Sequence, residues 1–142
     1  MTTETTSPRV VLVTGGSRGI GLACARHFAA LGDHVAVTYN SSPPPDQFFA
    51  VKCDVTSNDD VDNAFNAIEE QFGPVQVLVS NAGITRDGLL LRMGEDDFAS
   101  VIDANLTAAY RVCKRATQGM LRARSGRIIL MSSVVALLGS AG

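Results

Sequence analysis

The sequence predicts an α/β domain built on a doubly wound parallel sheet, and three observations predict it. Short apolar, β-favouring runs at 10–14, 35–39, 48–53, 75–80 and 126–133 alternate with segments whose apolar residues recur at helical spacing. The first run passes directly into a glycine turn, Gly15-Gly16-Ser17-Arg18-Gly19-Ile20-Gly21, which opens a helix. A chain of 142 residues, 46% hydrophobic and 18% charged, can bury one substantial core and no more than one ordinary domain.

The first helix is expected to carry Ile20, Cys24, Phe28 and Leu31 on its apolar face and to stop at Gly32. His27 and His34 have no partner pattern and read as solvated or packing residues. Between the second strand (35–39) and the third (48–53), the prolines at 43–45 leave too little chain for a regular crossover helix. Ser57 or Asn58 then caps a helix with the stripe Val61, Phe65, Ile68 and Phe72. Asp59, Asp60 and Asp62 complement its N-terminus, so these carboxylates read as structural. Gly73-Pro74 breaks the chain before the fourth strand at 75–80. From Glu95 the pattern is helical again, with Phe98, Val101, Ile102, Leu106, Ala109, Cys113, Ala116 and Met120 on one face and Asn105 interrupting it. The fifth strand, 126–133, is apolar on both faces and is expected to be central and covered on both sides.

Composition narrows the partners. A formal charge of −2 with scattered basic residues gives no electrostatic case for nucleic acid, and no run approaches membrane-spanning length, so neither is expected. Cys24, Cys53 and Cys113 are odd in number, widely spaced and without ligand spacing. They read as reduced core thiols of a cytoplasmic protein, and no metal site is expected. Residues 1–8 are polar and threonine-rich and read as a flexible tail, with the domain over 9–142.

The glycine turn brings backbone N–H groups and the positive end of the following helix to one spot, which suits a phosphate. Three residues separate Thr14-Gly15 from Gly19-Ile20-Gly21, and that spacing resembles the cofactor motif of the short-chain dehydrogenase/reductase family. Ser80-Asn81-Ala82-Gly83 resembles the family's Asn-Asn-Ala-Gly element, with serine in place of the first asparagine. Ile84 to Met93 is similar to the corresponding loop of bacterial 3-oxoacyl-acyl-carrier-protein reductases. The resemblance implies a Rossmann-type sheet of order 3-2-1-4-5, with a nicotinamide cofactor across the carboxyl ends of the strands. Gly15, Ser17, Arg18, Gly19, Ile20 and Gly21 would then cradle that cofactor, and Asn81, Ala82 and Gly83 would touch it.

The end of the second strand, Tyr39-Asn40-Ser41, carries no carboxylate to accept a ribose 2′-hydroxyl, so a 2′-phosphate is not repelled. Asn40 is placed at that ribose, and Arg18 can pair with the phosphate or remain a solvated loop charge; the cofactor reads as NADPH. Asp54 alone could be a turn aspartate. The resemblance implies that it holds the adenine amino group and that Val55 lines the adenine pocket. It also implies that Ser133, with Ser132 as its adjacent alternative, polarises a substrate carbonyl and that Asn105 anchors a water-linked proton path. Tyr110 and Lys114 have the family's Tyr-x-x-x-Lys spacing but precede that serine, whereas the family's pair follows it, so Tyr110 is assigned to packing.

By this reading the catalytic tyrosine and lysine would fall beyond Gly142. The domain is therefore expected to be incomplete at its carboxyl end, truncated after the fifth strand, and inactive alone. The longer parent would reduce 3-oxoacyl thioesters on acyl carrier protein with NADPH in fatty-acid biosynthesis, as a homotetramer, with Arg124 meeting the acidic carrier. The alternatives are an acetoacetyl-CoA or polyketide ketoreductase, or a cofactor-binding module without catalysis.

Overall fold

A computed structural model describes residues 7–45 and 48–142. The expected tail lies mostly outside the described residues; Ser7 and Pro8 are exposed. Five strands form one parallel sheet of order β3-β2-β1-β4-β5: β1 (Val10–Val13), β2 (His34–Tyr39), β3 (Phe49–Lys52), β4 (Val77–Ser80) and β5 (Arg127–Leu130). Pairings such as Val13↔Val37, Val13↔Val79 and Ser80↔Leu130 bring the carboxyl ends of the strands to one edge. This is the Rossmann-type order the sequence predicts.

Alternation along β1 sorts the core into two layers. Val10 and Leu12 face α2 (Asn58–Phe72) and α4 (Ala108–Ala123), packing with Phe65, Ile68, Val112 and Met120; Val11 and Val13 face α1 (Gly19–Ala30), packing with Ala25, Val35 and Val79. Each large apolar side chain buried this way contributes about 1.5–3 kcal/mol. Ser57 is the cap of α2, its hydroxyl accepting from Asp60 N–H at 3.2 Å, and Val61, Phe65 and Ile68 are buried as their spacing predicts. His34 packs, its ring stacked on Phe72 with centroids 5.3 Å apart. Arg9 and Asp33 join the start of β1 to the start of β2 through a 2.6 Å ion pair.

Three expectations are corrected. At the two ends of α1, Ile20 and Leu31 are exposed, whereas Cys24 and Phe28 pack on the core as expected, beside the buried Gly21, Leu22 and Ala25 that the spacing did not single out. The single helix expected from Glu95 is two, α3 (Glu95–Ile102) and α4, joined by a π-turn over Asp103–Thr107. Its buried positions are Ala104, Ala108, Val112, Ala116 and Met120, whereas Phe98, Ile102 and Leu106 face solvent. The fifth strand is not covered on both sides: β5 is the sheet edge, paired only with β4 among the described residues, and Ile128, Ile129 and Leu130 are exposed. A short helix α5 (Val135–Leu138) follows it.

Candidate functional site

The carboxyl edge opens into a cavity of about 790 Å³ between the turns after β1 and β4, where the strand order reverses. Gly15, Ser17, Arg18, Gly19, Ile20, Asn40, Asp54, Val55, Asn81, Ala82 and Gly83 all line it.

The turn after β1 is held from behind. Thr14 is buried, and its Oγ1 accepts from the backbone N–H groups of Asn81 (3.0 Å) and Ala82 (3.1 Å). Asn81 Nδ2 returns two hydrogen bonds, to the carbonyl oxygens of Thr14 and Gly15, each 3.1 Å. Gly21 does not line the cavity. It is buried behind the turn, where a Cβ would collide with the Gly15 carbonyl oxygen and Asn81 Nδ2, so its absent side chain sets how closely α1 approaches the turn.

At the front, Gly19 has φ +55° and open space where a Cβ would project. Arg18 is the N-cap of α1 but makes no side-chain cap bond, and the first turn holds no acidic residue. The first-turn N–H groups, which lack helical partners, and the helix dipole are therefore available to an anion beside Arg18. The rim from Thr38 to Ser42 offers hydroxyl and amide groups without a carboxylate. At the far end, Asp54 Oδ1 accepts from Thr56 Oγ1 (2.7 Å) and Thr56 N–H (2.9 Å), which hold its carboxyl below the usual range, aided by Arg111. An anionic group against α1 and an amine-bearing ring beside Asp54 match this donor set, so the residues present fit a phosphorylated dinucleotide.

Asn105, in the π-turn, holds the rim: its Oδ1 accepts from Ile84 N–H and its Nδ2 donates to the Ile84 carbonyl, both at 2.8 Å. Ser133 lies beyond β5 on the same edge, outside the cavity lining. Its Oγ accepts from Val135 N–H at 3.4 Å at the entry to α5. Tyr110 and Lys114 line a second groove between α2 and α4, with Lys114 Nζ 5.8 Å from the Tyr110 ring centre; Tyr110 is exposed, so it does not pack within this chain as expected. Arg124 follows α4 just before β5 begins, at the amino edge of the sheet and opposite the cavity, with φ +50°. Among the described residues, no group of three or more His, Cys, Asp or Glu could hold a metal ion, and no helix is long and apolar enough to cross a membrane.

Sequence reasoning missed several lining residues, including Ser100, Asp103 and Ala104 from the α3–π-turn segment. Their only local signal is proximity to Asn105, and the cavity gathers them through a turn that helical periodicity does not show.

The family model for short chain dehydrogenase matches residues 9–142. The chain is 56% identical to the 3-oxoacyl-acyl-carrier-protein reductase MabA of Mycobacterium avium over 131 residues, 92% of this chain and 51% of that protein. It is 56% identical to the reductase of the same name from Mycobacterium tuberculosis over 126 residues, 89% of this chain and 51% of the other. It is 40% identical to the 3-oxoacyl-acyl-carrier-protein reductase FabG of Vibrio cholerae, with 94% and 58% covered. The chain thus spans about half the length of these two mycobacterial relatives.

Proposed function

This chain belongs to the short-chain dehydrogenase family, and on that premise we propose that it forms the NADPH-binding part of a reductase of 3-oxoacyl thioesters. The observation that carries the proposal is the conjunction of the α1 N-terminus, Arg18 and a carboxylate-free rim in one cavity. Gly19 and Ile20 would hold the diphosphate through backbone N–H groups. Arg18, with Asn40 beside it, would meet the 2′-phosphate through charge-assisted hydrogen bonds. Asp54 would accept the adenine amino group, and Val55 would face the ring. Bound there, the cofactor supplies a hydride.

Ser133, once its hydroxyl turns from Val135, would donate to the substrate carbonyl oxygen, and Asn105 would fix the Gly83–Ile84 rim and a proton-carrying water. The Tyr-x-x-x-Lys pair in these residues, Tyr110–Lys114, faces the other groove and cannot act as the acid. The 142 residues alone are therefore proposed to bind cofactor without turnover. The longer protein is proposed to be a cytoplasmic homotetramer of fatty-acid biosynthesis, with exposed Phe98, Ile102 and Leu106 supporting subunit contacts. Acyl carrier protein is the proposed partner, and Arg124 is its candidate contact on charge alone.

Fluorescence titration tests the cofactor reading: NADPH should bind at least about tenfold more tightly than NADH, and Arg18→Glu should abolish the difference. Equal affinities for the two cofactors in the unmodified chain would refute it. In the longer protein, preference for acyl-carrier-protein over CoA thioesters separates the proposed substrate from acetoacetyl-CoA.

A further inference from the structure

The turn at Asp54–Thr56 and the π-turn at Asp103 come from distant parts of the chain yet form adjoining walls of the cavity. One side chain joins them from outside. Arg111, on α4, reaches Asp103 Oδ1 through Nη2 at 2.8 Å and the Val55 carbonyl oxygen through Nη1 at 3.5 Å. Arg111 itself lines the second groove, not the cavity, and its side chain is only 16% exposed. We propose that Arg111 is a positioning residue that braces the adenine end of the cofactor cavity from behind, an inference that rests on the NADPH reading above.

The chemistry favours arginine at this place. A guanidinium presents donors in a rigid plane and can serve two acceptors at once, whereas a lysine ammonium on a flexible stem is a point charge without that preset geometry. Asp103 opens the π-turn and Arg111 lies one turn into α4, so their ion pair closes over the turn that carries Asn105. The Val55 carbonyl sits inside the Asp54–Thr56 turn, whose aspartate is already fixed by Thr56. Holding that carbonyl sets the turn's orientation before ligand arrives, which lowers the ordering cost of binding. The nearby guanidinium also helps keep Asp54 ionised, as an acceptor for an amine must be.

The test compares two probes that divide the cofactor: adenosine 2′,5′-bisphosphate and reduced nicotinamide mononucleotide, each titrated into the chain by NMR. Arg111→Gln should weaken the bisphosphate about tenfold, as expected for losing a charge-assisted contact, and leave the mononucleotide unchanged. Arg111→Lys, which keeps the charge, should remain at least about threefold weaker for the bisphosphate. If Arg111→Gln fails to fold, Asp103→Asn, at a half-exposed position, should still give a selective loss of about threefold. Undiminished bisphosphate binding by Arg111→Gln, full rescue by lysine, or equal losses of both probes would overturn the positioning role. If the unmodified chain binds neither probe, the NADPH reading fails and carries this inference with it; a failure confined to the variants refutes the brace alone.

Discussion

Replacing Thr14 with valine keeps the shape of the side chain and removes one oxygen. That oxygen is the acceptor for two backbone N–H groups, Asn81 at 3.0 Å and Ala82 at 3.1 Å, and Thr14 is 2% exposed. A buried donor left without a partner costs roughly 1–3 kcal/mol. The Asn81–Ala82 segment borders the cavity, where water can reach one of the two groups, so one donor is left unpaired and about 1–3 kcal/mol of stability should be lost. Thr14→Ser is the control: it keeps the acceptor and gives up one methyl, about 1 kcal/mol. Urea unfolding followed by circular dichroism measures both. A valine variant within about 0.5 kcal/mol of the parent, or a serine variant as damaged as the valine one, would refute the assignment of Thr14 as the clamp between β1 and β4.

Gly21→Ala should cost at least about 2 kcal/mol or prevent folding, because the obstructing groups are a backbone carbonyl and a side chain fixed by two hydrogen bonds; a thermal melt within 2 °C of the parent would contradict this. Asp33, beside the Arg9 guanidinium, and Asp54, bonded to Thr56, both ionise below the usual carboxylate range. The unfolded chain takes up protons first, so their stabilisation is complete above about pH 5 and is lost as pH falls through the folded-state values. Asp33→Asn should therefore flatten the acid limb of a plot of melting temperature against pH, and an unchanged limb would exclude the assignment. Burial, reinforced by Asp60 and Asp54, pushes the Cys53 thiol up to about 12. At pH 8 a disulfide reagent should modify Cys53 last of the three cysteines, as mass spectrometry of partly labelled chain can show.

Much of this architecture was legible because it rests on local chemistry. Continuous apolar runs bounded by glycine and proline mark the first four strands, and Ser57 followed by a 3–4 stripe marks α2. The cavity was legible because a parallel sheet gathers its loops at one edge, so residues following β1, β2, β3 and β4 meet there regardless of separation. Other features depend on what a residue touches. Thr14 reads as the last residue of a strand, and only the structure shows its hydroxyl beneath Asn81. Arg111 belongs to a run of basic residues on one helix, and no spacing rule singles out the one that reaches Val55. The apolar β5 run promised a covered strand, but coverage depends on a neighbour, and among the described residues β4 is the only one.

The π-turn at Asp103–Thr107 gives Asn105 a direction that an unbroken helix would not. A π-turn holds about one residue more than the α-turn it replaces, and the extra residue is taken up within 103–107. Ala108, Val112, Ala116 and Met120 follow at regular four-residue steps and are the buried residues of α4. Deleting one residue other than Asn105 from 103–107 would let the segment relax to ordinary helix and turn Asn105 away from Ile84, while the sequence of every strand stayed intact. Substitution at many of these positions alters one contact; deletion would remove the turn that presents Asn105 to Ile84.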